Sequence, residues 1–251
     1  VQLEIAVQDV AGALAAVRAG ADRLELCVAL GSTGGLTPSI GLVRRVLAAL
    51  AAEEASTGRS AGVCVLVRPA EGGFVYNGDA VDVMVDDVAA LAALGAEGGR
   101  SVQGVMVGAL TPGGGVDVAA MRRVVETAGG LEVVFHRAID VLSSPEALLE
   151  DVAALGCVRV LTSGGAAAAG DGIEVLARLV TAAAGRVQIM AGGGVSIDAI
   201  PALLAAGVDS VHLSAKGLRA SDPTGPGGGA PQVMFTDASV VAAARAAVDA
   251  A

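Results

Sequence analysis

The sequence predicts an α/β chain folded as a single-domain TIM-type (β/α)8 barrel over residues 1–251, and three observations carry that reading. Short apolar runs of strand length alternate eight times with Ala/Leu/Val-rich runs of helical character, which is the order of such a barrel. Four helix ends echo one another, VRAGADRLEL, LAALGAEGG, LAALGCVRVL and LLAAGVDSVHL. Each puts a glycine (Gly20, Gly95, Gly156, Gly207) where a residue tolerant of left-handed backbone stops the last turn before the chain re-enters the sheet. Finally, the doubly wound alternative calls for a GxGxxG turn after the first strand, and Val7-Gln8-Asp9-Val10 stands there instead.

In chain order, a strand at Leu3–Val7 carries Glu4 and leads to an Ala-rich helix, Val10–Ala19. The run Arg23–Cys27 has the apolar density of a buried strand, and Glu25 and Cys27, two residues apart, point to the same side of it. Gly31, Gly34, Gly35 and Pro38 break that run before a helix over Ile40–Ala55. The strand Gly62–Arg68 ends on a charge and precedes the helix Val81–Leu94; Val102–Val107 precedes Val118–Ala128. The strand Leu131–His136 runs into His136-Arg137 with Asp140 close behind, ahead of the helix Pro145–Leu155. Val158–Thr162 ends in Thr162-Ser163-Gly164-Gly165 before Ile173–Ala184, and Val187–Ala191 opens into AGGGV before Ile197–Ala206. The last strand, Ser210–Leu213, contains His212 and is followed by Ser214 and Lys216; the last helix is Ala238–Ala250. Between them, Gly217 to Gln232 reads GLRASDPTGPGGGAPQ, whose Gly and Pro content predicts a mobile connection.

Composition narrows the function classes. Hydrophobic residues make up 54% of the chain, charged ones 17% and aromatic ones 2%, a mixture suited to small-residue helices packed on a sheet. A net charge of −10 with Lys216 as the sole lysine argues against a polyanion-binding face, so no nucleic-acid partner is expected. The three cysteines (Cys27, Cys64, Cys157) form neither a CxxC pair nor an even-numbered framework, and no leader pattern opens the chain. A reducing, cytoplasmic setting is therefore the expectation. Charges, glycines and prolines interrupt every apolar run before it could span a bilayer, so no membrane role is expected.

In a barrel the functional residues gather at the carboxyl ends of the strands. Candidate acid/base groups there are Glu4, Glu25, His136 and His212. A carboxylate inside a barrel needs a partner, and Arg68, Arg137, His136 and His212 are the expected ones. As an acid or base, His136 would be positioned by Asp140 or a glutamate. Candidate anion-binding groups are Arg68, Arg137, Thr162, Ser163, Gly164, Gly193 and Ser214, with Lys216 as a further donor; the AGGGV turn lets backbone approach a phosphate. No GKS or GKT is present, which excludes a P-loop.

Several of these stretches together resemble the CutC family of copper homeostasis proteins. The matching pieces are GADRLELC (Gly20–Cys27), GGLTPS (Gly34–Ser39), LVRP (Leu66–Pro69) with Gly72-Gly73, FHRAID (Phe135–Asp140), RVLTSGG (Arg159–Gly165) and AGGGV (Ala191–Val195), in family order along nearly the whole chain. The resemblance implies a TIM-type barrel, a cytoplasmic location and a role in copper homeostasis, with copper(I) as the expected ion, bound through cysteines on the first two strands. Cys27 is the second-strand thiol, but Ala6 stands where the family's first-strand cysteine falls, and copper(I) prefers two or three soft ligands. Met106 and Met190 lie on other strands and read as core. Two function classes stay open: a copper(I)-binding homeostasis protein, and a barrel enzyme acting on a small anionic or phosphorylated metabolite through the His/Glu/Arg mouth. An interaction scaffold whose mouth network is purely structural is the third, and a homo-oligomer is the expected assembly.

Overall fold

The computed structural model describes residues 1–97, 100–142, 144–222, 226 and 231–251. Eight parallel strands close into a barrel in sequence order: β1 (Gln2–Val7), β2 (Arg23–Leu26), β3 (Gly62–Leu66), β4 (Gly104–Val107), β5 (Glu132–Phe135), β6 (Arg159–Thr162), β7 (Gln188–Gly192) and β8 (Ser210–Leu213). Helices cross outside it: α1 (Val10–Arg18), α2 (Leu30–Thr33), α3 (Ile40–Thr57), α4 (Gly78–Ala93), α5 (Val118–Ala128), α6 (Pro145–Ala154), α7 (Ile173–Ala183), α8 (Ile200–Ala205) and α9 (Ala238–Asp249). Side-chain oxygens set where five of them begin. Asp9, Ser39, Asn77, Asp117 and Asp237 accept backbone N–H groups from the first turns of α1, α3, α4, α5 and α9.

The period-2 alternation of the strands separates two cores. Leu3, Ile5 and Val7 of β1 join Leu24 and Leu26 of β2 in the large apolar layer between sheet and helices. Inside the barrel a smaller cluster holds Cys27, Cys64, Leu66, Met106, Val134, Leu161 and Met190. Several of the inward residues between these are charged: Glu4 lies in register with Arg23 on β2 and with His212 on β8, and Glu25 lies in register with Ala6 on β1.

Two features differ from the sequence expectation. The glycine-rich turn after β2 includes a one-turn helix, α2, entered through Ala29 at φ 54° and left through Gly34 at φ 80°. The connection expected to be mobile from 217 to 232 is instead ordered at its ends into an antiparallel pair, β9 (Lys216–Ala220) and β10 (Gln232–Thr236), with Lys216 opposite Thr236 and Leu218 opposite Met234. The Gly and Pro residues concentrate between these strands, and 223–225 and 227–230 lie outside the described residues, as do Gly98 and Gly99 of the LAALGAEGG echo. Among the described residues no helix is long and apolar enough to cross a membrane.

Candidate functional site

At the carboxyl end of the barrel a cavity of about 330 Å³ opens, walled by Glu25, Arg68, His136, Arg137, Gly193, His212 and Ser214 from the predicted set. Ala6, Leu30, Gly31, Gly34, Leu66, Phe74, Leu161, Gly194, Lys216 and Met234 complete the wall. The hairpin β9–β10 and the turn containing α2 thus form one side of the mouth.

Its floor is an ion array. Glu4, fully buried, accepts from Arg23 Nε at Oε2 (3.0 Å) and meets His212 Nδ1 at Oε1 (2.9 Å). On the far side of the imidazole, His212 Nε2 lies 3.5 Å from Glu25 Oε2. Burial opposes the charge on Glu4, but the hydrogen bond from His212 and the charges of His212 and Arg23 outweigh it, and the carboxyl is held below its ordinary range. Burial likewise opposes the imidazolium of His212; the Glu4 hydrogen bond and the Glu25 and Glu4 charges prevail and raise it. Glu25 has no such escort. Burial, with Glu4's charge adding and His212's opposing, pushes its carboxyl up to about 7.

His136 is held differently. Its Nδ1 accepts the Ala138 N–H at 3.3 Å, so the neutral ring carries its proton on Nε2. That Nε2 is buried and has no partner among the described residues. Gly108 makes room for the ring, since a Cβ there would lie 2.6 Å from Nδ1, and Phe74 packs against it with ring centroids 5.0 Å apart. Burial first and the Arg68 charge second pull the imidazole down to about 4, so it is neutral at physiological pH.

The partners expected for several groups are not the ones observed. Asp140 does not orient His136. It receives Arg137 Nε (2.8 Å), Thr162 Oγ1 (2.5 Å), and the Ser163 and Gly165 N–H groups, and so ties the turns after β5 and β6 together. Thr162, Ser163 and Gly164 are consumed by this knot and stand off the cavity wall. Arg68 pairs with neither glutamate; its guanidinium donates to the carbonyls of Thr33 (2.6 Å), Gly35 (3.1 Å) and Gly72 (2.7 Å) and lies over the Phe74 ring. Arg137, half-exposed, passes directly over Gly193, where φ is +99° and a Cβ would lie 2.7 Å from Cζ.

Arg23 is the residue that sequence reasoning missed. Besides Glu4 it holds Glu132 (2.9 Å) and Cys64 Sγ (2.7 Å). Its signal was available, because Arg23 and Glu25 alternate with leucines on one strand and so share the inward face. Phe74 reaches the wall from a loop, Leu30 from the one-turn helix α2 and Met234 from the hairpin, none of which carries a periodic signal.

The thiols do not fit a copper(I) site. Cys27 is fully buried, with its Sγ beneath Gly35 and beside Leu66, and Ala6 offers no second thiol from β1. Burial and then the Glu25 charge push the Cys27 thiol far above its ordinary range, and burial does the same to Cys64. Among the described residues no three of His, Cys, Asp and Glu are grouped to hold a metal ion.

A family model described as the CutC family matches residues 1–217. A CutC family protein of Xylella fastidiosa (strain 9a5c) is 45% identical over 225 residues, covering 89% of this chain and 78% of the relative. One of Agrobacterium fabrum is 42% identical over 222 residues, covering 88% and 82%. Among solved structures, CutC of Streptococcus agalactiae superposes with a TM-score of 0.74 at 28% identity, covering 85% of this chain and 98% of that one. Thiamine phosphate pyrophosphorylase of Pyrococcus furiosus, at 15% identity and a TM-score of 0.59, shares the fold alone.

Proposed function

Because the chain belongs to the CutC family, which ties it by resemblance to copper homeostasis, we propose that it works through its barrel mouth, by binding a small anionic molecule and moving a proton on it. The observation that carries this reading is the Glu4–His212–Glu25 array ending on a cavity whose rim holds Arg137 and Lys216. A buried carboxylate that is already neutralised by Arg23 and His212 fixes the imidazole, and the second carboxyl, beside it, exchanges its proton near neutral pH. The cations on the rim supply the charge that would hold a phosphate or carboxylate of the ligand.

Copper(I) binding is a second reading, supported by the packing of Cys27, Cys64, Met106 and Met190 in one buried cluster. Against it stand the protonated thiols and the position of all four sulfurs off the cavity wall.

Calorimetric titration separates the two. Small phosphorylated and carboxylated metabolites are expected to bind the wild type, and Arg137→Ala to weaken them about tenfold, the scale of one charge-assisted hydrogen bond. A copper(I) titration is expected to show no stoichiometric site that Cys27→Ser abolishes. Anions that leave the protein untouched, together with one tight copper(I) equivalent lost in Cys27→Ser, would reverse the order of the readings.

A further inference from the structure

Two groups of opposite proton character face one cavity. Glu25 reaches the wall from β2, where its Oε2 lies 3.5 Å from His212 Nε2. His136 reaches it from the end of β5 with Nδ1 already occupied by the Ala138 N–H, which leaves Nε2–H as an unspent donor. An unpaired buried donor costs free energy unless a ligand acceptor completes it. The rim cations Arg137 and Lys216 stand at the open end of the same cavity, and Arg137 is steadied there by Asp140.

From this juxtaposition we infer that the mouth catalyses proton transfer at the carbon next to a carbonyl, interconverting a small phosphorylated 2-hydroxyaldehyde and its 2-hydroxyketone. The inference rests on the reading of the mouth as an anion site. In the forward step the Glu25 carboxylate takes the proton of the hydroxyl-bearing carbon. The C–H pair becomes the C=C bond of an enediol, and the carbonyl π pair moves onto its oxygen. His136 Nε2 delivers its proton to that oxygen and recovers one from the neighbouring hydroxyl. Glu25 then returns its proton to the former carbonyl carbon. One carbon is oxidised and its neighbour reduced within the same molecule, so no outside oxidant or reductant enters. The division of labour suits the two environments: the carboxyl at about 7 is available as a base at neutral pH, while the imidazole at about 4 stays neutral and serves as a donor instead of competing for the proton.

The test is hydrogen exchange into substrate carbon, followed by proton NMR in D2O, with glyceraldehyde 3-phosphate, dihydroxyacetone phosphate and ribose 5-phosphate as probes and calorimetry of each probe alongside. The expected result is that at least one probe binds and exchanges its carbon-bound hydrogen above the uncatalysed rate. Glu25→Gln should then lower that rate about 100-fold or more and His136→Gln about tenfold or more, with binding retained. Circular dichroism and melting curves establish that both variants fold. Binding of one or more probes with exchange of none overturns the inference and leaves the anion reading intact, as does exchange unaffected by either substitution. Failure of every probe to bind the wild type overturns both.

Discussion

Glu25 and His136 differ in what folding asks of their protons. Glu25, at about 7 in the fold against an ordinary 4.5, binds its proton more tightly folded than unfolded. Its contribution to stability is therefore full below pH 4.5 and is lost as pH rises through about 7. His136, at about 4 against an ordinary 6.5, runs the other way: its contribution is full above pH 6.5 and is lost as pH falls through about 4. In the wild type the two oppose each other over the overlap of these windows. Removing one exposes the other. The stability of Glu25→Gln relative to the wild type is expected to climb between pH 4.5 and 7 by about 3 kcal/mol, read from urea melts at several pH values. A difference that stays level across that window would mean that Glu25 titrates at its ordinary value. Both residues were legible in the sequence as polar groups at strand ends, but their protonation was not, since it depends on Arg68, Glu4 and His212 arriving from other strands.

At the scale of the element, the turns after β5 and β6 behave as one piece because Asp140 accepts from both. Asp140→Ala removes a nearly buried carboxylate that serves Arg137, Thr162, Ser163 and Gly165 together. The expected cost is about 2–4 kcal/mol in denaturant melts, with Thr162→Val costing less because it cuts one bond of the set. Gly193 is the counterpart on the seventh turn. Alanine there must hold a backbone at φ +99° and displace the Arg137 guanidinium. Gly193→Ala should cost about 1–3 kcal/mol and weaken anion binding, whereas a variant with unchanged affinity would show that Arg137 does not depend on that close approach. The eight strands and the helices that follow them could be read from apolar periodicity, because burial against the sheet enforces it. The hairpin β9–β10 could not: its strands flank a Gly/Pro-rich stretch, and what orders them is pairing with each other and contact of Met234 with the Gly31 turn.

For the molecule as a whole, closure of the barrel and the floor of the mouth are the same set of contacts. Glu4 on β1 binds rightward to Arg23 on β2 and leftward to His212 on β8, across the seam where the first and last strands meet. Arg23→Ala leaves Glu4 buried with only the imidazole for company. It is expected to cost about 3–5 kcal/mol in global stability, measured by chemical denaturation, and a loss below about 1 kcal/mol would show that Glu4 needs no second partner. The barrel itself was legible from element order. The role of Arg23 was obscured because a charge inside a strand is interpretable only once its facing strands are known.

The contacts of Arg23 extend further than the seam. Glu132 touches Arg23 at 2.9 Å, Arg23 touches Glu4 at 3.0 Å, Glu4 touches His212 at 2.9 Å and His212 stands 3.5 Å from Glu25. Glu132 is one-third exposed at the amino-terminal end of the strands, and Glu25 faces the cavity at the other. Five groups of alternating sign thus link the two ends of the molecule, and the electrostatic potential felt at one end is referenced to the other. Glu132→Gln, a change made in solvent contact, should move the pH at which the mouth titrates, observed by NMR of the His212 ring. Asp82→Asn, which breaks the exposed pair with Arg123 outside this row, should leave that pH where it is. Whatever binds or shields the underside of the barrel therefore acts as a remote dial on the proton chemistry above.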